Sequence, residues 1–454
     1  MSGAKTIVEV CSKLTVVSDT PTRPGKTFSL SLLDHTMGLH TLHIVFYYRH
    51  KWSNSDDLGR LRESLADVLN YYPPITGRFQ KGEDGNWVVA CNDAGVRILK
   101  SNVHTTLDDW LKSAEGSEER DLTVWEDMPE DPTLWSPFRI QLNEFEGEGM
   151  AIGLSCSHMH ADPTCATIFF KSWTETYRRD AIKHSPFFHP PGLRGRPSPN
   201  TNTESAKYYA AKSKAEPPSP VKMSTATFRF SEAAIQKCLS EVQNQCPDAT
   251  PFDVLAALFW TSAVRAKTAP EAIPEQKRSL SICIDIRKLM HAPLPHGYFG
   301  NALYFSLVSS EAGKMDEGGL AYVAGLVRSH MSSLKEEDFW SAIDWIESQK
   351  EGGKFAPAWR MYGPELTCAN MEHLFSYSAM LEELKPVHVS YHIGNVEGEG
   401  LILVLPSPEE GLGRTVMVTL PEDQTVQLCK DPAILSLQPT MLLCGKSNSF
   451  SLSS

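Results

Sequence analysis

No stretch of this 454-residue chain approaches the roughly 18 consecutive apolar residues that cross a bilayer, so work at a membrane would fall to a peripheral protein. The opening segment MSGAKTIVEVCSKLTVVSDT lacks a basic region followed by an apolar run, and the polar tail GKSNSFSLSS carries no peroxisomal or retention signal; neither export nor such an address is expected. CxxC pairs are missing, as is the Cys/His spacing of a zinc site. The ten cysteines, scattered from Cys11 to Cys444, read as buried free thiols in a reducing, cytoplasmic compartment, with no metal. Positive charge is short too. The 43 basic side chains face 55 acidic ones, a net charge of −12 that repels a polyphosphate backbone and excludes nucleic acid as a partner. A coenzyme A site would need a local patch of Lys and Arg against that field. No repeat of fixed period stands out, which removes solenoids and propellers.

What is present is a globular composition, 41% apolar and 22% charged, and a length that at roughly 100–200 residues per domain points to two domains. TIVEVCSKLTVV alternates as a strand should, as do Leu42, Ile44, Phe46 and Tyr48. Leu58, Leu61, Leu65, Val68 and Leu69 share one helix face, and the spacing predicts a helix that runs to Tyr72, where Pro73 and Pro74 stop it. Strands follow at NWVVAC and GVRILKSNV, and GMAIGLSC is a short, wholly apolar strand. After Pro163, Cys165, Ile168, Phe169, Trp173 and Tyr177 return to helical spacing. Between Ser185 and Val221 the chain turns rich in Pro, Ser, Asn and Lys and poor in periodic apolar residues, as a linker does. Beyond it come a strand at ATFRF, a helix from Ser231, and a second helix in TPFDVLAALFWTSAVRA with Thr250 as N-cap, Pro251 first in the helix and Asp253 as first-turn acid. Further strands are expected at LSICIDIR, HVSYHIG, GLILVLP and TVMVTLP. The result is an α/β chain with an N-terminal domain 1–184, a crossover linker 185–222 and a C-terminal domain 223–454.

The chemistry centres on SCSHMHADP. His158 and Asp162 are spaced HxxxD on a strand-to-helix turn, a place where a rigid sheet presents a side chain at its rim. An imidazole with an ordinary pKa of about 6.5 is mostly neutral at cytosolic pH and can accept a proton. The ordinary reading of the same residues is a histidine satisfied by a backbone carbonyl beside a turn-forming Asp-Pro. His160 is a second imidazole two positions on; the spacing to Asp162 favours His158, and His160 reads as a surface or supporting histidine. An oxyanion formed in acyl transfer needs its own donors, and Thr367 and Asn370 of LTCAN are the candidate oxyanion or channel residues.

Several segments in order, SLSLLD, YYPPITGRF, CNDAGVR, SHMHAD, TPFDVLAALFW, IDIRKLMHAPLPHGYFGNAL and TVMVTLP, resemble the signatures of the plant BAHD acyltransferases across most of the chain. The resemblance implies two chloramphenicol-acetyltransferase-like domains around a central channel, with acyl-CoA entering from one side and the acceptor from the other. It puts His158 in the position of the base that takes a proton from a hydroxyl or amine, and Asp162 in a structural position turned from the channel and paired with Arg287. Two departures stand out. Pro163 replaces the glycine that usually follows the aspartate, fixing φ and removing a backbone donor. MLEEL, from Met380 to Leu384, stands where the family carries DFGWG.

That combination is similar to the eceriferum and glossy branch of cuticular wax proteins, as are DPTLWSPFRIQLNEFEGEGMAIGLS, MYGPELTCAN and KPVHVSYHIGNVEGEGLILVLPSP. The resemblance implies an accessory protein that promotes elongation of very-long-chain fatty acids, a monomer peripheral to the endoplasmic reticulum. It would touch the elongase condensing enzyme, a 3-ketoacyl-CoA synthase, bind no resident cofactor and need no chemistry from His158. The competing expectation is an acyl-CoA-dependent O- or N-acyltransferase with His158 as general base; a lyase in the same channel has no residue arguing for it.

Overall fold

The computed structural model describes residues 7–50, 55–188, 193–267, 276–291 and 294–445. Two large sheets carry the fold. The first has six strands in the order Val8–Val16, Val96–Thr106, Phe138–Glu146, Met150–Ser157, Thr41–Tyr48 and His388–Ile393. The second has seven, ordered Leu303–Glu311, Lys277–Asp285, Thr367–Asn370, Leu401–Pro406, Arg414–Pro421, Met223–Phe230 and Thr440–Leu442. Strand Met150–Ser157 is buried along its whole length, between Phe138–Glu146 and Thr41–Tyr48, which is why GMAIGLSC lacks alternation. The helix Pro163–Tyr177 packs against Ser55–Leu69, and Leu61, Leu65, Val68, Phe169, Phe170 and Trp173 are all buried there. One apolar core runs unbroken through both halves of the chain.

The sheets do not divide where the sequence changes composition. Strand His388–Ile393, late in the chain, pairs antiparallel with Thr41–Tyr48 and completes the first sheet, with His392 opposite His43. Nor is the 185–222 stretch a bare linker: Glu204–Ser213 is a helix capped by Thr203, burying Ala206, Tyr209 and Lys212. Two apolar positions three apart are too few to register as a period amid the flanking Pro and Ser. The first long helix stops at Leu69 rather than Tyr72; the N–H groups of Asn70, Tyr71 and Tyr72 bond three residues back, in tightened turns ahead of the prolines. Thr250 and Asp253 form the reciprocal cap of helix Pro251–Ala266.

MLEEL folds as a tight hairpin in which Leu381 and Leu384 exchange backbone hydrogen bonds and Glu382 takes a φ of 52°. Arg178 donates to the carbonyl of Met380. Cys11 is exposed and Cys444 half-buried, so two of the ten cysteines depart from the expected burial. Of the tail expected to fray, GKSNSFSLSS at 445–454, all but Gly445 lies outside the described residues. Among the described residues no helix is long and apolar enough to cross a membrane.

Candidate functional site

His158 is the first residue after strand Met150–Ser157, and its backbone is fixed on both sides. Its N–H donates to the carbonyl of His40 (3.0 Å), and its carbonyl accepts from the Asn301 side chain (2.8 Å). Asn301 is held by Asp34, which accepts from its backbone N–H at 2.7 Å and its side chain at 2.8 Å. Burial pushes the Asp34 carboxyl up to about 6 against those hydrogen bonds. Residues 158–160 form a turn, closed by the N–H of His160 on the Ser157 carbonyl (2.9 Å).

The turn feeds a helix whose N-cap is Asp162. Its Oδ1 accepts from Cys165 N–H (2.9 Å), and Pro163 takes the first helical position, where a missing N–H leaves nothing unpaired. Proline in place of the family glycine is therefore accommodated without disturbing the start of the helix. Oδ2 of Asp162 accepts from Ala302 N–H (3.0 Å) and lies 2.9 Å from Arg287 Nη1. Arg287 also meets Asp285 at 2.6 Å and donates to the Gly300 carbonyl at 2.8 Å. Asp162 and Arg287 are 0% and 3% exposed, so this is a buried ion-pair network, not a surface one. Against its burial, Arg287 and His373 hold the Asp285 carboxyl far below the usual range. Thr164 extends the network, donating to Asp285 at 2.6 Å.

The His158 ring points elsewhere. Its Nε2 lies 3.1 Å from the hydroxyl of Tyr362, while Nδ1 has no hydrogen-bond partner. The ring is 0% exposed, and burial lowers its pKa, keeping the imidazole neutral. Tyr362 is placed by its neighbours in the chain. His40 donates from Nδ1 to the Gly394 carbonyl (3.0 Å), which leaves Nε2 to accept from Met361 N–H (3.1 Å). Lys212, from the helix inside the linker region, donates to the carbonyls of Met361 (2.9 Å) and Gly363 and pairs with Glu365 at 2.8 Å. Hollow space adjoins this segment. A cavity of about 410 Å³ reaches Met159 and Ala358, and one of about 790 Å³ reaches Thr41, Arg360 and His392.

The remaining candidates fall apart from this pair. His160 is neither a surface nor a supporting histidine: it is 0% exposed, both ring nitrogens lack partners, and it sits among the rings of Phe79, Phe138 and Phe299. Burial lowers its pKa to about 3. Two-residue alternation fails there because the backbone turns. Asn370 lines a cavity of about 420 Å³ with Thr164, Asp285, Arg287 and His373, and its side-chain oxygen accepts from Glu372 N–H (3.3 Å). Thr367 is buried on a strand between Ser281 and Leu401 with its hydroxyl unpaired. Sequence reasoning gave no role to Tyr362, Asn301, Asp34, His40 or Lys212. MYGPEL and SLSLLD were visible as phrases, but contacts between residues 204 positions apart leave no local signal.

A profile of the Transferase family matches residues 6–434. A hydroxycinnamoyltransferase of Narcissus pseudonarcissus is 24% identical over 431 residues, spanning 92% of this chain and 97% of that one. Protein ECERIFERUM 26-like of Arabidopsis thaliana is 24% identical over 422 residues, spanning 90% and 91%. Among solved structures, vinorine synthase superposes with a TM-score of 0.72 at 18% identity, covering 95% of this chain and 98% of its own. TRI101 of F. sporotrichioides, complexed with coenzyme A and T-2, gives 0.71 at 14% identity, covering 92% and 100%. The fold is thus the chloramphenicol-acetyltransferase-like acyltransferase fold.

Proposed function

Because this chain belongs to the Transferase family of BAHD acyltransferases, we propose that it is an acyl-CoA-handling protein of the elongation-accessory kind, promoting extension of very-long-chain fatty acids for cuticular wax. It acts beside a 3-ketoacyl-CoA synthase from the cytoplasmic side of the endoplasmic reticulum. The observation that carries this reading is the division within the site. The groups that hold the fold, Asp162, Arg287 and Asp285, are intact and buried. The group that would do chemistry, His158 Nε2, has no exposed surface and faces a resident tyrosine hydroxyl. MLEEL in place of DFGWG and the eceriferum relative point the same way.

The second reading, an O- or N-acyltransferase with His158 as base, is favoured by the neutral imidazole and by the hydroxycinnamoyltransferase relatives. Its steps would be a proton passing from the acceptor to His158, attack on the thioester carbonyl, and release of the coenzyme A thiol. A thiol-release assay on purified protein with a fatty acyl-CoA and a panel of alcohols and amines separates the two. The accessory reading expects no acceptor-dependent release, and sustained release with one acceptor would replace it with the transferase.

A further inference from the structure

His392, on strand His388–Ile393, has one ring nitrogen inside the protein and one outside it. Nε2 donates to Glu119 Oε2 at 2.7 Å, whereas Nδ1 makes no hydrogen bond among the described residues and is not sealed from water. On the same strand His388 is fully buried, with Nε2 on the Ser390 hydroxyl (3.0 Å) and Nδ1 on Arg229 (3.2 Å), as a packed histidine is. Glu119 is 1% exposed and also accepts from the Tyr47 hydroxyl at 2.5 Å, so its carboxylate is gripped from two sides. Against its burial, His392 holds that carboxyl below its ordinary pKa, as an anion. A buried anion on Nε2–H fixes the tautomer and leaves Nδ1 as the basic atom. Nothing comparable stands behind His158, whose Nδ1 has no partner.

His392 lines the cavity of about 790 Å³, a size that holds a small ligand or the reacting part of a larger one. His158 lines neither this cavity nor the one of about 410 Å³. Arg120 lines the same wall as His392; its guanidinium lies 3.9 Å over the Trp125 ring and forms no ion pair among the described residues. We propose that His392, oriented by Glu119, is the base of a hydrolytic site that cleaves the thioester of a fatty acyl-CoA. The choice of substrate rests on the acyl-CoA part of the reading above. Water is the only co-reactant. Its proton passes to His392 Nδ1 and its oxygen bonds to the thioester carbonyl carbon, with Arg120 as the cation at hand for the oxyanion. The carbon–sulfur bond then breaks, and the departing thiolate recovers the proton from the imidazolium. The products are a fatty acid and free coenzyme A.

The test incubates the purified full chain with palmitoyl coenzyme A in ¹⁸O-enriched water, without added alcohol or amine, and follows thiol release and the label in freed palmitate. The expected result is labelled palmitate formed by the wild type, at a rate lowered about 10²-fold or more in His392→Gln. Glu119 acts through His392, so Glu119→Gln should lower kcat about 10-fold or more with KM little changed. Should either single variant fold poorly, the double variant His392→Gln with Glu119→Gln leaves no unpaired buried charge and reads the same loss. No labelled palmitate from the folded wild type beyond that of heat-denatured protein would overturn the inference. So would an undiminished rate in folded His392→Gln or in the folded double variant, or a rate that falls in folded His158→Gln instead. Hydrolysis without chain extension in cells would leave this site standing and remove the accessory reading; extension without hydrolysis would do the reverse.

Discussion

Asp162→Asn separates the charge of the HxxxD aspartate from its shape. Asparagine keeps an oxygen for the Cys165 N–H, so the helix cap survives. It loses the negative oxygen that faces Arg287 at 2.9 Å and accepts from Ala302 N–H at 3.0 Å, and it can turn an NH₂ group toward two donors. Removing one partner of a buried pair typically costs about 3–5 kcal/mol. Asp285, still 2.6 Å from Arg287, keeps that guanidinium from being stranded, which places the expected loss near the lower end, about 3 kcal/mol. Urea unfolding followed by tryptophan fluorescence measures it. A second variant, Asp162→Asn with Arg287→Met, also strips the buried Asp285 of its cation, so it should be less stable than Asp162→Asn alone but lose less than the sum of the two single variants, because the Asp162–Arg287 pair is broken only once. A single variant within about 1 kcal/mol of wild type, or a double variant whose losses simply add, would refute the view of Asp162 as a structural anchor.

His160→Phe tests the unpaired imidazole in its ring of phenylalanines. With a folded pKa of about 3 against an unfolded value of 6.5, the neutral histidine contributes stability above pH 6.5 that is lost as pH falls through that window toward 3. Between pH 8 and pH 5 the wild type should therefore lose about 2 kcal/mol that the variant keeps; an unchanged difference between the two pH values contradicts the assignment. Pro163→Gly restores the family residue but frees the unfolded chain at a position already shaped for proline. Chemical denaturation should register a loss of about 1 kcal/mol, and a gain would mean that the proline is strained.

Local signals in the sequence were strong where one element decides its own structure. Thr250-Pro251-x-Asp253 starts a helix by its own side chains, and the apolar run before His158 is a buried strand because both its faces are covered. The partnership of Asp162 with Arg287 came from resemblance, since 125 positions of chain separate them and no spacing rule connects them. Tyr362 was invisible for the same reason. It reaches His158 only because strand His388–Ile393 joins the first sheet beside Thr41–Tyr48, bringing Gly394 to His40 and His40 to Met361. Lys212 was hidden by its surroundings: a short helix in a Pro- and Ser-rich stretch looks like linker until its buried lysine is seen holding the tyrosine segment.

The central claim is that chain-length promotion does not depend on proton transfer by His158. Its most direct measurement is the fatty-acid profile of yeast co-expressing a plant wax 3-ketoacyl-CoA synthase with either the wild-type chain or His158→Ala. The account predicts longer acyl chains with both forms than with the synthase alone. Extension with wild type that vanishes with a folded His158→Ala, or no extension with either form, would contradict it.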